Sequence, residues 1–356
     1  MKSESPLPIT HPLVDGRTAE SPVVQSYQGI RPEHRPIWMM RQAGRSLPEY
    51  RTLRAGIPML ESCLRPELVT EITLQPVHRH HVDAAILFSD IVVPLKLAGV
   101  DVDIVAGVGP VMGSAVRTRA DIEQLQPLEA GALEPITTAV AMLTAELGAT
   151  PLIGFAGAPF TLASYLIEGR PSRDYVHTKA MMRDDPESWA ALLTWAAGVT
   201  GTFLRAQAMA GASAVQLFDS WAGALTLEEY QTFAAPYSTL VMDAVSDLPV
   251  PRVHFGTRTR DLLVAMRDVG ATVLGVDQQT PLDVANELLG GHTPLQGNID
   301  PDLLAGDWDV LANHTRDVLR RGLAAPAHVV NLGHGVPKDT DPDVLTRLVE
   351  LVHEEG

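Results

Sequence analysis

Short apolar, β-prone runs alternate with longer stretches of helical spacing along this chain, and that alternation predicts an α/β protein, a single-domain (β/α)₈ TIM barrel. Three observations carry the prediction. Eight such runs occur, at 36–40, 84–88, 152–156, 214–219, 251–255, 273–277, 294–297 and 328–332. Buried strands separated by helices pair in parallel through crossovers, and eight units of this kind close a barrel. At 356 residues the chain could hold two average domains or one large barrel, and no linker or internal repeat divides it. An open doubly wound sheet is the alternative, but no Gly-x-Gly-x-x-Gly turn follows the first run.

Taken in order, residues 1–27 are rich in Ser, Pro and Thr without a sustained period, and are expected to be a flexible lead-in to a barrel spanning 28–356. After the strands at 36–40 and 84–88, residues 91–116 interrupt the pattern. Their alternating Val100-Asp101-Val102-Asp103-Ile104 predicts a hairpin inserted after strand two. Helical spacing follows at 135–147, and 185–210 is long enough for two helices. Further helices are expected at 227–247, 259–269 and 281–289, each between two strands.

Hydrophobic residues make up 46% of the chain and charged residues 20%, the balance of a globular protein with a full core. A net charge of −16 argues against nucleic acid or an anionic membrane as a partner. One cysteine, Cys63, excludes an internal disulfide framework or a multi-cysteine metal site and fits a reducing cytoplasm. The N-terminus lacks a basic start followed by an apolar core, so a secretory signal is not expected. No apolar run approaches the roughly 18 residues of a membrane span. A soluble cytoplasmic protein is expected.

Against this acidic background, residues 31–54 carry six arginines and two glutamates, a local charge of +4. Arg41, Arg45 and Arg51 follow the first strand, where barrel chemistry collects. They predict either a polyanion site or an arginine-rich surface loop with scattered ion pairs. Other strands end in Ser89 and Asp90; in Gly157-Ala158-Pro159 leading to Tyr165; in Asp219 and Ser220; and in Gly256, Asp277 and Asn298. The last ends in Asn331, Gly333, His334 and Gly335. Singly, these residues are ordinary caps and turns. Converging on one rim, they form a polar pocket with arginines at one station and a carboxylate at the next.

Several other chemistries lack their residues. No phosphate-binding Gly-x-x-x-x-Gly-Lys-Ser/Thr, zinc-binding His-Glu-x-x-His or acyl-transfer Gly-x-Ser-x-Gly is present. His78, His80 and His81 precede strand two, at the end opposite the pocket, and are expected to be solvated or helix-terminal. No lysine directly follows a strand, which disfavours Schiff-base chemistry.

The run Met40-Arg41-Gln42-Ala43-Gly44-Arg45, continued by Leu47-Pro48-Glu49-Tyr50-Arg51, resembles the N-terminal motif of the uroporphyrinogen decarboxylase family. So do Phe88-Ser89-Asp90-Ile91, the stretch from Gly154 to Leu162, Ser164-Tyr165 and Glu168-Gly169. Phe218-Asp219-Ser220-Trp221-Ala222-Gly223, Leu295 to Pro301 and Asn331-Leu332-Gly333-His334-Gly335 complete the set. These blocks fall in family order across residues 36–336, nearly the whole chain. Two positions depart, Ser46 where many members have Tyr and Gln278 where many have Trp, and they bear on rim packing.

The resemblance implies a (β/α)₈ barrel, usually a homodimer, that uses no metal or organic cofactor. It would convert the four acetate side chains of uroporphyrinogen III to methyls, giving coproporphyrinogen III. It assigns Asp90 to the converging pyrrole N–H groups and to the cationic intermediate, and Arg41 and Arg45 to substrate carboxylates. Arg41 is also a candidate proton donor or relay. Gln42, Ala43 and Gly44 of the same motif, with Tyr165, Ser220 and His334, would contact the substrate, and Arg54 would reach a further carboxylate. Planar guanidinium forks suit carboxylates, and a fixed negative charge suits a cationic ring. Two other readings stay open. A corrinoid or thiol methyltransferase on this barrel would need a His-x-Cys pair plus a second cysteine for zinc, whereas His254 is followed by Phe255-Gly256. A tetrapyrrole carrier without turnover would fit the same pocket.

Overall fold

The computed structural model describes residues 5–356. Its strands are β1 (Ala85–Ile86), β2 (Val102–Val105), β3 (Gly109–Met112), β4 (Leu152–Gly157), β5 (Ala214–Phe218), β6 (Arg252–Phe255), β7 (Val273–Gly275), β8 (Leu295–Gln296) and β9 (His328–Val329). Seven of them form one curled sheet in the order β1-β4-β5-β6-β7-β8-β9. Every neighbouring pair in it is parallel. All six residues of β4 are buried, which is why its sequence is continuously apolar rather than alternating. The remaining strands, β2 and β3, pair with each other in antiparallel register, Val102 with Met112 and Val105 with Gly109. They lie between β1 and β4 in sequence. Backbone bonds from Met112 to Gly169 and from Val116 to Leu166 dock this segment on the end of helix Pro159–Glu168.

Residues 36–42 run between the two edges of the sheet. The expected first strand is there a single parallel bridge, Ile37 with Val330, rather than a regular ladder. Trp38 N donates to Val330 O and Val330 N donates to Pro36 O on the β9 side. On the β1 side Asp83 N donates to Ile37 O, and Ile37 N donates to the Asp83 carboxylate at 2.8 Å. Gln42 completes the join. Its Oε1 accepts from Met39 N at 2.9 Å and its Nε2 donates to Ala84 O at 3.0 Å. Side chains replace ladder bonds here because the chain turns out of the sheet at Arg41, whose φ is 62°.

Two expectations are corrected. Of the lead-in expected to be flexible, residues 1–4 lie outside the described residues, but the rest packs. Helix Pro22–Tyr27 buries Val23, Val24 and Tyr27, His11 bonds Ala208 O at 2.9 Å, and Thr18 bonds Ser213 at 2.8 Å. Tyr27 accepts from Trp38 Nε1 and donates to Gln296 of β8, whose amide reaches Gln216 of β5. Composition alone hid three anchors spaced too irregularly to show a period. Second, 185–210 is one helix, Pro186–Ala210, capped by Asp185. Gly201 does not break it but lets it approach a neighbour, since a Cβ there would lie 2.9 Å from Ala244 Cβ.

The Gln42 carboxamide generates a prediction. Gln42→Leu keeps the volume but leaves a buried N–H and a buried C=O unpaired, so it should cost about 2–4 kcal/mol in urea unfolding. An unchanged unfolding midpoint would remove its role as the join.

Candidate active site

Four groups at the C-terminal ends of the strands form one electrostatic cluster: Arg41, Asp90, Tyr165 and His334. Asp90 follows β1 and starts the short helix Val93–Leu97. One carboxylate oxygen accepts from Val92 N at 3.1 Å, and the other has no protein partner among the described residues. Burial pushes this carboxyl above the ordinary range, while the Val92 bond and the Arg41 charge pull it back. Tyr165 sits on helix Pro159–Glu168, where burial, with the Asp90 charge adding, raises its phenol. Its ring lies 4.0 Å from that of Trp221, which meets Tyr175 at 5.2 Å.

The two glycines around His334 have a spatial reason. A Cβ on Gly333 would lie 2.3 Å from Gln278 N, and one on Gly335 would lie 2.4 Å from Arg41 Cδ. The bare backbone at Gly335 therefore lets the Arg41 side chain cross it. His334 is lowered to about 4, first by burial and then by Arg41. It is a neutral imidazole at neutral pH. Ser220, two residues beyond β5, is half-buried, and its carbonyl accepts from Thr257 Oγ1 at 3.0 Å.

Arg45 and Arg54 belong to an adjoining cationic recess. A cavity of about 450 Å³ is lined by Arg45, Tyr50, Arg51, Arg54, Lys338 and Asp339, among others. Arg54 lies 5.4 Å over the Tyr50 ring, and Tyr50 in turn packs edge-on against Phe88, two residues before Asp90. Tyr50 thus links the recess to the strand end that carries Asp90. Cys63, buried and raised, lies within electrostatic reach of both Asp90 and Arg54.

Not every expected residue arrives. The Gln42 side chain is wholly buried in the join described above and presents nothing to the opening. Ala43 and Gly44 form the half-buried turn beside it. Arg31 and Arg35 leave the expected arginine group altogether. Arg31 donates to Leu323 O, Ala325 O and Pro326 O, and Arg35 to Leu319 O, ahead of β9 and so at the opposite end of the sheet. Ser46 is buried with its hydroxyl unpartnered, and the Gln278 amide packs against Gly333. His78 and His80 lie in the last turn of helix Pro66–His80, with His81 its left-handed cap. Among the described residues no group of three His, Cys, Asp or Glu is placed to hold a metal.

Sequence reasoning assigned no role to Lys338, Arg258, Trp221 or Tyr175. Arg258 and Trp221 each stand three residues beyond a strand end, and a window wider than the first turn would have included them; Arg258 lies within electrostatic reach of Tyr175. Lys338 and Tyr175 stand farther from any strand end and had no such signal.

The arrangement predicts that His334 titrates near pH 4. Arg41→Gln removes a repelling cation and should move it upward, though still below 6.5, because burial is the larger cause. Imidazole NMR resonances followed against pH would check this. A parent His334 titrating at the ordinary value would contradict the geometry.

The uroporphyrinogen decarboxylase (URO-D) family model matches residues 18–355. A uroporphyrinogen decarboxylase of Arthrobacter sp. (strain FB24) is 63% identical over 340 residues, 96% of this chain and 99% of that protein. One from Leifsonia xyli subsp. xyli is 56% identical, over 97% of both chains. Among solved structures, a methyltransferase from Methanosarcina mazei aligns with a TM-score of 0.79 at 19% identity, covering 95% of this chain and 98% of that one, a likeness of fold. The cluster of Asp90, Arg41, Tyr165 and His334 thus sits in a chain that belongs to the uroporphyrinogen decarboxylase family.

Proposed function

We propose that this chain decarboxylates the four acetate side chains of uroporphyrinogen III to methyls, yielding coproporphyrinogen III for tetrapyrrole (haem) synthesis, with no cofactor. The observation that carries the reading is a desolvated carboxylate, Asp90, beside Arg41 and next to a recess lined by Arg45, Arg51, Arg54 and Lys338. An octacarboxylate with four inward N–H groups needs that pairing: cations for its rim, one anion for its centre.

In each step the pyrrole carbon beside the reacting arm takes up a proton, which makes the ring cationic. The C–C bond to the carboxylate then breaks. Its electron pair neutralises the ring, CO₂ leaves, and a second protonation with loss of the ring proton gives the methyl. One proton is consumed per acetate. Asp90 accepts from the ring N–H groups through its free oxygen and stabilises the cation, all the more strongly in a desolvated site. Arg41, beside Asp90, binds a carboxylate and could relay a proton, although a guanidinium is a poor acid. Neutral His334 and the protonated Tyr165 phenol offer hydrogen bonds to carboxylates without adding charge, as does Ser220.

The same reading places residues 28–356 in one domain, with 36–42 as the eighth stave of a closed (β/α)₈ barrel. Residues 91–116 are then an insertion after its second strand. It further takes the chain as a cytoplasmic homodimer that engages neither membrane nor nucleic acid. The fold likeness to a methyltransferase does not bring a zinc site with it, since the single thiol is buried away from His254 on another element.

Anaerobic incubation with uroporphyrinogen, then oxidation and chromatographic counting of carboxyls, tests the reading. Tetracarboxylate should accumulate, and persistent octacarboxylate would refute it. Asp90→Asn should lower turnover by about 10²-fold or more, by the scale of losing one preorganised electrostatic group. Gly335→Ala displaces Arg41 and should raise KM about tenfold with little change in unfolding temperature. An unaltered KM would release Arg41 from carboxylate binding.

A further inference from the structure

Directly behind the rim, Asp219 and His254 face each other with no exposed surface on either. Asp219 immediately follows β5 and His254 lies on β6. Asp219 Oδ2 and His254 Nε2 are 3.9 Å apart, and neither has a hydrogen-bond partner among the described residues. The ring's other nitrogen lies 3.0 Å from Met266 O, which can only accept, so the N–H is on Nδ1 and a lone pair is on Nε2. An ionised Asp219 would then set its Oδ2 against the His254 Nε2 lone pair, two buried acceptors with nothing between them, an arrangement that is costly in a low dielectric.

The remaining carboxylate oxygen is engaged toward the site. Thr161 Oγ1 donates to Asp219 Oδ1 at 2.8 Å and accepts from Trp221 N at 3.3 Å. Thr161 is one turn before Tyr165 on the same helix, while Asp219 immediately precedes Ser220. Trp221 stacks on Tyr165. One carboxyl therefore ties the helix that carries Tyr165 to the strand end that carries Ser220.

We propose that Asp219 is a positioning residue: it holds a proton on the oxygen that faces His254, and through Thr161 it fixes Tyr165 and Ser220 relative to each other. This rests on the reading of Tyr165 and Ser220 as substrate contacts. The other groups facing the pair are Thr161 from helix Pro159–Glu168 and Tyr230 from helix Leu227–Phe233, with Ser238 of helix Ala235–Asp243 beside the Tyr230 hydroxyl. Burial holds Tyr230 neutral. Burial also raises Asp219 to about 7, against the Thr161 bond, and lowers His254 to about 4.

The signs have an unusual consequence. A raised Asp alone loses folded-state stability as pH climbs from its unfolded value of 3.8 to about 7, and a lowered His alone gains stability as pH climbs from about 4 to 6.5. Together they nearly cancel. Folded and unfolded pairs each hold one proton across most of that window, on the aspartate when folded and on the histidine when unfolded.

Infrared difference spectra of the chain without substrate, parent minus Asp219→Asn at pH 6, should show the carbonyl stretch of a protonated carboxyl. Its absence overturns the proposal. Asn can still accept from Thr161 and present an N–H toward His254, so Asp219→Asn should fold. Relative to the parent it should lose thermal stability progressively as pH falls from 6.5 toward 4, because His254 then stands alone. A parallel pH dependence of the two proteins also overturns it. In turnover, Asp219→Ala should raise KM about tenfold with kcat changed less than about threefold, and Asp219→Asn should recover most of that loss. An Asn variant as defective as Ala contradicts the positioning role. The infrared and stability measurements need no substrate, so they decide this proposal even if the assigned reaction fails.

Discussion

The join at residues 36–42 is the constraint on which the site depends. Two edges of a curled parallel sheet, β1 and β9, would otherwise present unpaired backbone groups. Ile37 and Trp38 satisfy β9, while Asp83 and the Gln42 carboxamide satisfy the β1 side. The chain leaves this join through a left-handed residue, and that residue is Arg41. Its guanidinium therefore comes to stand beside Asp90 from β1 and His334 from beyond β9, stations some 250 residues apart in sequence. Covalent order gives Arg41 its neighbours on one side only, and the bonds that residues 36–42 make to both sheet edges supply the rest.

Electrostatics in this molecule are organised by depth. At the mouth, cations gather around an open recess, with Lys338 beside Asp339 and Arg54 also donating to Ile57 O. One layer in, Asp90, Tyr165 and His334 are desolvated enough that each is biased toward its neutral form, with Arg41 the compensating charge among them. Deeper still, Asp219 and His254 are removed from solvent entirely. The sequence of environments runs from exposed charge to buried proton, and chemistry that moves protons between carbon and water suits the middle layer.

How much of this was legible in the sequence depended on whether a residue's partners were local. The alternation of apolar runs and helical spacing located β4 to β8 within a residue or two and β9 within three, because burial on both faces leaves a continuous apolar signature. The strand at 36–40 shrank to one bridge, since its bonds go to side chains at Asp83, Asn331 and Gln42, which no periodicity records. Strand-end position likewise brought candidates to the rim without saying which still had free hydrogen-bonding capacity. Both Asp277 oxygens are taken by Arg258 N and Gln279 N, the Asn298 amide donates to Asp277 O and Thr280 O, and the Asn331 oxygen accepts from Met40 N and Leu332 N, leaving its Nδ2 unpartnered. Asp90 differs from Asp277 in keeping one carboxylate oxygen without a protein partner among the described residues, and only three dimensions show it. Arg31 and Arg35 show the converse, as sequence proximity to Arg41 placed them in a charge cluster that the strand direction then split between two ends of the sheet.

The cationic recess in an otherwise acidic chain also bears on product release. With the proposed substrate, every turnover converts an acetate into a methyl and removes one negative charge from the bound ring, so eight carboxylates become four. Coulombic attraction to Arg41, Arg45, Arg51, Arg54 and Lys338 weakens at each step, while the protein as a whole carries −16. Retention is strongest for the least processed ring and weakest for the finished one. The site thus needs no moving gate to discriminate between them, because the reaction erodes its own tether.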